Sequence, residues 1–508
     1  MSAARFLRFQ KVSFTYSTMT RPLLVGLEAH FPLGWTGIVG ANGVGKSTLL
    51  KLAVGDLSPQ SGTVYHLGSA LYCAQRTDDP PDGLVEFVEA SDRDAAVLRQ
   101  RLSVGADWPG RWSSLSHGER KRAQIGVALW RQPDVLALDE PTNHIDAAAR
   151  DLLIAALRGF RGVGLLVSHD RELLDDLCGQ CLFIDPPDAA MRPGGVSAGS
   201  EQSRLEQEST RRRDDDAKHA VERLRRGVQR RREAADQFAA KNRQAKQKKP
   251  PANDHDGRAM RNLAKLTGKD AFAGKLVAQL GSRVGRAEKE RAGIRVKKVY
   301  EMGIWLDEGA RSQRAFLCRL PAGSLPLGDG ARCLRFPDLA VRPADRIAVT
   351  GPNGSGKSTL VRHLLERLDI EPGRVVHVPQ EISAEESRQI LAEVAALPKE
   401  QLGRIMTIVS RLGSRPQRLL ESDEPSPGEI RKILLAIGIA KGPHLIVMDE
   451  PTNHMDLPSI ECLEDALSDC PCAMVLVSHD RRFLEALAGI EWQIRQEDDA
   501  SVLTAALL

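Results

Sequence analysis

The stretch GANGVGKSTLL, Gly40–Leu50, returns later in the same chain as GPNGSGKSTL, Gly351–Leu360. Both fit G-x-x-x-x-G-K-S, and each follows a short apolar run, TGIVG at Thr36–Gly40 and RIAVTG at Arg346–Gly351. A strand that runs into such a glycine loop and then into a helix closes backbone N–H groups around phosphates, with the positive helix end aimed at them. The first candidate cradle is Gly40, Asn42, Gly43, Gly45, Lys46, Ser47 and Thr48; the second is Gly351, Asn353, Gly354, Gly356, Lys357, Ser358 and Thr359. Lys46 and Lys357 would reach β- and γ-phosphates, and Ser47 and Ser358 would offer a hydroxyl to Mg²⁺.

The duplication continues downstream. LALDEPTNHID (Leu136–Asp146) recurs as IVMDEPTNHMD (Ile446–Asp456), and LLVSHDRELL (Leu165–Leu174) as VLVSHDRRFL (Val475–Leu484). The offset is 311 residues at the lysines and 310 at both Glu140/Glu450 and His169/His479. Spacing this constant means two copies of one domain. The apolar runs are short, rich in β-formers and end at polar motifs, as buried parallel strands of an α/β sheet do. Ligands bind beyond the carboxyl ends of such strands, where these motifs fall.

Each motif has a chemical reading. Asp139 and Asp449 end apolar strands and belong to the Mg²⁺ shell, while the adjacent Glu140 and Glu450 are placed to polarise an attacking water. Helix capping is the ordinary role of an acidic residue at a strand end, but it does not explain two carboxylates in both copies. Gln75 and Gln380, 29 and 23 residues past their lysines, would complete the metal and water shell. His169 and His479 each follow their glutamate by 29 residues and could touch the γ-phosphate.

The remaining motif is LSHGE, Leu115–Glu119, whose counterpart in the second half is PSPGE, Pro425–Glu429. It looks like the signature of ATP-binding-cassette ATPases. With EPTNH[IM]D in both halves and twin cassettes on one chain, the sequence resembles the ABC-F family of ribosome-associated translation and antibiotic-resistance factors. The resemblance implies two cassettes closing head to tail around two ATPs, each with Mg²⁺, in one polypeptide acting as a monomer. Ser116, Gly118 and Glu119 would then serve the nucleotide held by Lys357, and Ser426, Gly428 and Glu429 the one held by Lys46. Three departures predict two unequal sites that both hydrolyse ATP. His117 stands in place of a signature glycine, and Pro425 and Pro427 flank Ser426. Tyr16, 24 residues before Gly40, would stack on adenine, whereas the residue at the same distance before Gly351 is Leu327.

Between the copies the composition changes. Residues 201–300 hold 28 Lys and Arg against 14 Asp and Glu, a net of +14; the whole chain is +4, so the remainder carries −10. Segregated positive charge fits a polyanionic partner. The chain is expected to divide into a first cassette at 1–188, a basic helical-hairpin linker at 189–300 and a second cassette at 301–508. One charged helix is expected from about Glu201 to Lys246 and another from about Arg258 to Lys298, with the turn at Pro250-Pro251. Leu205, Val221, Leu224, Val228 and Phe238 mark the thin apolar seam of the first, and Met260, Leu263, Leu266, Phe272, Leu276, Leu280 and Val284 that of the second.

The resemblance implies that this hairpin enters the ribosome toward the peptidyl tRNA, so that Arg243, Lys246, Lys248 and Lys249 would contact rRNA or tRNA phosphates. A DNA-handling ATPase would also use a basic hairpin, and a transporter subunit would need a separate membrane partner. The basic hairpin and fused twin cassettes argue against a membrane partner; no window approaches 18 uncharged apolar residues, so no membrane span is expected, and a cytoplasmic location is. Eight scattered cysteines read as buried thiols in a reducing compartment; Cys178-Gly-Gln-Cys181 lacks the second half of a zinc site.

Overall fold

The computed structural model describes residues 6–19, 22–66, 68–143, 145–247, 269–294, 312–328, 332–414, 426–453, 455–497 and 500–507. The chain forms two compact units, one made of residues 1–199 together with 300–508 and the other of residues 200–299.

The first unit holds both cassettes. In the first, the strands are β1 (Leu7–Phe14), β2 (Leu24–Phe31), β3 (Gly34–Gly40), β4 (Ser61–His66) and β5 (Ala70–Cys73), followed by β6 (Val135–Asp139), β7 (Val163–Val167), β8 (Cys178–Asp185) and β9 (Asp188–Pro193). They make an antiparallel sheet β2-β1-β4 and a larger sheet β5-β6-β7-β3-β8-β9. The larger sheet is parallel except for its edge, where β9 runs antiparallel to β8. Every residue of β6 and β7 is buried, which is why these runs are apolar throughout rather than alternating.

The second cassette repeats the plan. Its strands are β10 (Cys318–Leu320), β11 (Gly323–Leu327), β12 (Arg332–Phe336), β13 (Leu339–Val341), β14 (Arg346–Thr350), β15 (Val375–Val378), β16 (Leu445–Asp449), β17 (Ala473–Val477), β18 (Ile490–Gln496) and β19 (Ala500–Leu507). Along the sheet, β15-β16-β17-β14-β18-β19 matches β5-β6-β7-β3-β8-β9 strand for strand. Here the hairpin β11-β12 joins the main sheet through β19. One hydrophobic cluster lies on the glycine-loop-helix side of each main sheet, and a third runs continuously through both cassettes on the opposite side.

Three sequence expectations are corrected here. Strand β9 pairs with β8, so the first cassette extends past residue 188 to Pro193, and the long helix begins at Val196. The hairpin turns differ in length: Phe14 pairs with Leu24, but Leu327 pairs with Arg332. Leu327 is therefore no counterpart of Tyr16; by register it matches Phe14, and Tyr16 lies beyond it in the longer turn of the first cassette.

The third correction concerns the second unit, where helix Val196–Gln247 continues and helix Lys269–Ala292 lies antiparallel to it. Arg225 meets Glu288 at 2.6 Å and Arg291 meets Asp214 at 3.0 Å. The second helix ends at Ala292, before Gly293; residues 258–268 and 295–298 of its expected span, with Met260, Leu263 and Leu266, lie outside the described residues, as do the side chains of Phe272 and Leu276. Of the seam, Val221 is buried and Leu224, Val228, Leu280 and Val284 are half-buried, but Leu205 is exposed. The turn and Lys248 and Lys249 lie outside the described residues, as do the side chains of Phe238, Arg243 and Lys246. Among the described residues no helix is long and apolar enough to cross a membrane.

Candidate nucleotide sites

Both glycine loops hold their lysines the same way. Lys46 opens helix Lys46–Val54 and donates to the carbonyls of Gly40 (2.8 Å) and Ala41 (3.1 Å) and to Asn42 Oδ1 (3.3 Å). Lys357 opens helix Lys357–Leu365 and donates to Gly351 (2.8 Å) and Pro352 (3.1 Å). Burial lowers both ammonium pKa values, opposed mainly by Glu140 and Glu450 respectively. The residues capping these helices, Gly45 and Gly356, are left-handed at φ 101° and 104°. A Cβ there would come within 2.9 Å of Leu23 or 2.7 Å of Leu327, so only glycine fits.

Asp139 and Asp449 end β6 and β16, as the sequence predicts, and both are buried. Their partners differ. Ser358 donates to Asp449 Oδ2 at 2.8 Å, whereas Asp139 Oδ2 accepts from the phenol of Tyr72 at 2.9 Å. Asp449 Oδ1 is buried and has no hydrogen-bond partner among the described residues.

Glu140 and Glu450 follow with positive φ, 46° and 48°, and their amides donate to Val167 and Val477 at 2.8 Å each. A non-glycine residue in this region costs of order 1–3 kcal/mol and persists only where its surroundings hold it. Each carboxylate accepts the histidine amide, at 3.2 Å from His169 and 3.3 Å from His479. The ring Nε2 stands 3.2 Å and 3.4 Å from the other oxygen. Burial pushes the Glu140 carboxyl up to about 8 and Glu450 up to about 7, against Lys46 and Lys357. Burial, then Lys357, holds His479 down at about 4, so its imidazole is neutral at pH 7. His479 Nε2 also lies 3.0 Å from Asn353 Oδ1.

A cavity of about 590 Å³ opens over the second loop. Lys357, Ser358, Thr359, Gln380, Asp449, Glu450 and His479 line it from one cassette; Thr142, Asn143, Ile145, Arg150 and His169 line it from the other. Such a volume suits a nucleotide-sized ligand. Tyr16, in the first cassette, packs edge-on against Phe14 and hydrogen-bonds Thr48 Oγ1 at 3.1 Å.

The signature serines are helix caps. Ser116 and Glu119 form a reciprocal capping box at the start of helix His117–Trp130, as do Ser426 and Glu429 at helix Pro427–Ala440. Pro427 falls at the first helical position, where the missing N–H has no intrahelical partner to lose. Ser116 and Gly118 are not on the cavity wall; Gly118 sits behind Ile145, which is.

Several contacts escape the sequence reading. Asp146 and Asp456 each cap their own helix through Oδ1. Through Oδ2 each accepts a glycine-loop amide of the other cassette, Asn353 at 3.4 Å and Asn42 at 2.7 Å. Lys121 donates to the carbonyls of Ala74 (2.6 Å) and Gln75 (3.2 Å), and Arg431 to that of Gln380. Burial pulls Lys121 down to about 8. The duplicated EPTNH[IM]D could have flagged the aspartates, and the equal spacing of five after Ser116 and Ser426 the two cations. Arg171 reaches across to Glu464 and Asp480 of the second cassette. Arg171 lies in the duplicated SHDR, so the repeat could have flagged it too, whereas nothing in the sequence marks Tyr72.

Comparison with known proteins agrees with this geometry. The family model described as ABC transporter matches residues 31–143 and 334–453. The tylosin resistance ATP-binding protein TlrC of Streptomyces fradiae is 30% identical over 91% of this chain and 92% of its own. The ribosome protection protein VmlR of Bacillus subtilis is 29% identical over 88% of this chain and 79% of its own. Among solved structures, a model of ribosome-bound archaeal Pelota and ABCE1 has a chain superposing with a TM-score of 0.61 at 17% identity, over 98% of this chain and 78% of that one, which is a likeness of fold. With two complete cassettes in this geometry and such identity over nearly its whole length, the chain belongs to the ABC-F family.

Proposed function

We propose that the chain is an ATP hydrolase, converting ATP and water to ADP and phosphate at two composite sites, and that it binds the ribosome in its ATP-closed state. The observation that carries this reading is a pair of complete cassettes in one compact unit, joined by a linker of net charge +14. TlrC and VmlR, named for tylosin resistance and ribosome protection, support it.

In this reading the loops around Lys46 and Lys357 hold the phosphates. Ser47 with Asp139, and Ser358 with Asp449, would hold Mg²⁺, with Gln75 and Gln380 completing its shell; the unpartnered buried oxygen of Asp449 suits a cation. Bound there, the ion neutralises charge on the phosphate oxygens. Glu140 and Glu450 orient and deprotonate water, and carboxyls raised toward neutrality are matched to that task. His169 and His479, fixed by those carboxylates, face the γ-phosphate.

Closure brings Ser116, Gly118 and Glu119 toward the nucleotide on Lys357, and Ser426, Gly428 and Glu429 toward the one on Lys46. The closed form places the linker near the peptidyl tRNA, with Arg243, Lys246, Lys248 and Lys249 on RNA phosphates. Hydrolysis opens the pair and releases the protein. Translation is thereby modulated, or the ribosome protected from a drug, in the cytoplasm.

The test is sedimentation of the Glu140→Gln/Glu450→Gln protein with ribosomes in ATP, with excess branched DNA as competitor. Pelleting that requires ATP and resists DNA is expected. Absence from the pellet, or complete transfer to DNA, overturns the ribosome assignment.

A further inference from the structure

Asp139 and Asp449 stand at the same place in the two cassettes but are held by different partners. In the second site Ser358 donates to Asp449 at 2.8 Å; in the first, Tyr72 donates to Asp139 at 2.9 Å from the neighbouring strand β5. The register shows what stands opposite in each case. Tyr72 pairs with Ala137, two residues before Asp139, and His377 pairs with Val447, two residues before Asp449. His377 is thus the counterpart of Tyr72. The Lys51 ammonium lies over the Tyr72 ring, 5.8 Å from its centroid.

We infer that Tyr72 is a positioning residue for the metal-shell carboxylate of the first site, which rests on reading Asp139 as part of that shell. A phenol anchored on a parallel strand holds Oδ2 and so fixes the carboxylate plane. It leaves Oδ1 and the Ser47 hydroxyl for a divalent cation and its water. At the second site Ser358 has two tasks, since the hydroxyl that steadies Asp449 is the one expected to meet the cation. The first site therefore pays less ordering entropy on binding and holds the ion more tightly. Outer-shell partners of this kind are typically worth 10–100-fold in metal affinity.

The experiment uses the full chain carrying Glu140→Gln/Glu450→Gln, saturated with ATP, with Mn²⁺ titrated and followed by electron paramagnetic resonance. Two bound ions of unequal affinity are expected, and Ser47→Ala, which removes one, identifies the first site. Tyr72→Phe should weaken that ion roughly 10-fold and leave the other alone. The unfolding midpoint without nucleotide should fall, since the buried Asp139 loses a donor, but a general loss of structure would weaken both ions and not the first alone. Conversely, His377→Tyr should tighten the second ion. Unchanged affinities in Tyr72→Phe, or equal weakening at both sites, would overturn the inference. A parent protein that binds no Mn²⁺ with ATP would instead remove the metal reading on which it stands.

Discussion

Glu140 and Glu450 combine two costs at one residue, a left-handed backbone and a buried carboxyl whose pKa is raised to about 8 and about 7. In the unfolded chain these groups titrate near 4.3. Between that value and the folded one, the folded state binds more protons than the unfolded state, so their contribution to stability falls as pH rises. Glutamine keeps the shape and removes the titration. The nucleotide-free Glu140→Gln and Glu450→Gln proteins should each be more stable than the parent at pH 8, by roughly 1–3 kcal/mol, and close to it at pH 5. Thermal unfolding at the two pH values checks this. A parent that gains stability from pH 5 to 8 relative to both variants would contradict the burial argument. The same substitutions should lower ATP turnover at least 10²-fold, so stability and activity move in opposite directions.

At the scale of elements, the glycine loops and their strands were legible because phosphate chemistry fixes residue types at fixed spacing, and the duplication confirmed each choice. The hairpin was legible from its charge. What escaped depends on register between strands distant in sequence. Spacing put Leu327 opposite Tyr16, yet the turn after β11 is shorter than the one after β1, and only pairing reveals the slip. Nothing in the sequence sets Tyr72 apart from any strand aromatic; only the pairing of β5 with β6 brings it to Asp139. In the hairpin, the seam and the ion pairs invite different weights. Val221 is 5% exposed, while Arg225 and Glu288 pair at 2.6 Å with side chains 65% and 42% exposed. Exposed pairs contribute about 0–1 kcal/mol, whereas a carboxylate placed on a buried seam is desolvated and replaces an apolar contact. Val221→Asp should therefore speed amide hydrogen exchange along helix Lys269–Ala292 more than 10-fold. Arg225→Ala should change it little, and comparable acceleration in both would reverse the ranking.

Over the whole molecule the two cassettes are near copies, but the contacts between them are not. Asp146 and Asp456 make matched crossings, each onto the other cassette's glycine loop. Arg171 has no such match. It forms an Nη1 bond to Glu464 at 2.9 Å, a second bond to the same carboxylate, and a contact to Asp480 at 3.3 Å, with its side chain 12% exposed. By the 310-residue offset its counterpart is Arg481, which is exposed, and the place of Glu464 is taken by Ile154. In the opposite direction Arg482 meets Asp175 of the first cassette at 2.7 Å, but with its side chain 34% exposed, so of these two crossings the Arg171 clamp is the bidentate and more deeply buried one. Removing one partner leaves the other charge desolvated and unpaired, which costs more than an exposed pair is worth, here about 1–3 kcal/mol. In a chain labelled on both cassettes for energy transfer and carrying Glu140→Gln/Glu450→Gln, Arg171→Ala should lower the ATP-closed fraction. Arg481→Ala should leave it unchanged. A double-mutant cycle with Glu464→Ala should show coupling well above 0.5 kcal/mol, because the two residues share one network. Equal effects of Arg171→Ala and Arg481→Ala would mean that the clamp does not govern closure, and that the matched aspartate crossings together with the Arg482–Asp175 pair hold it.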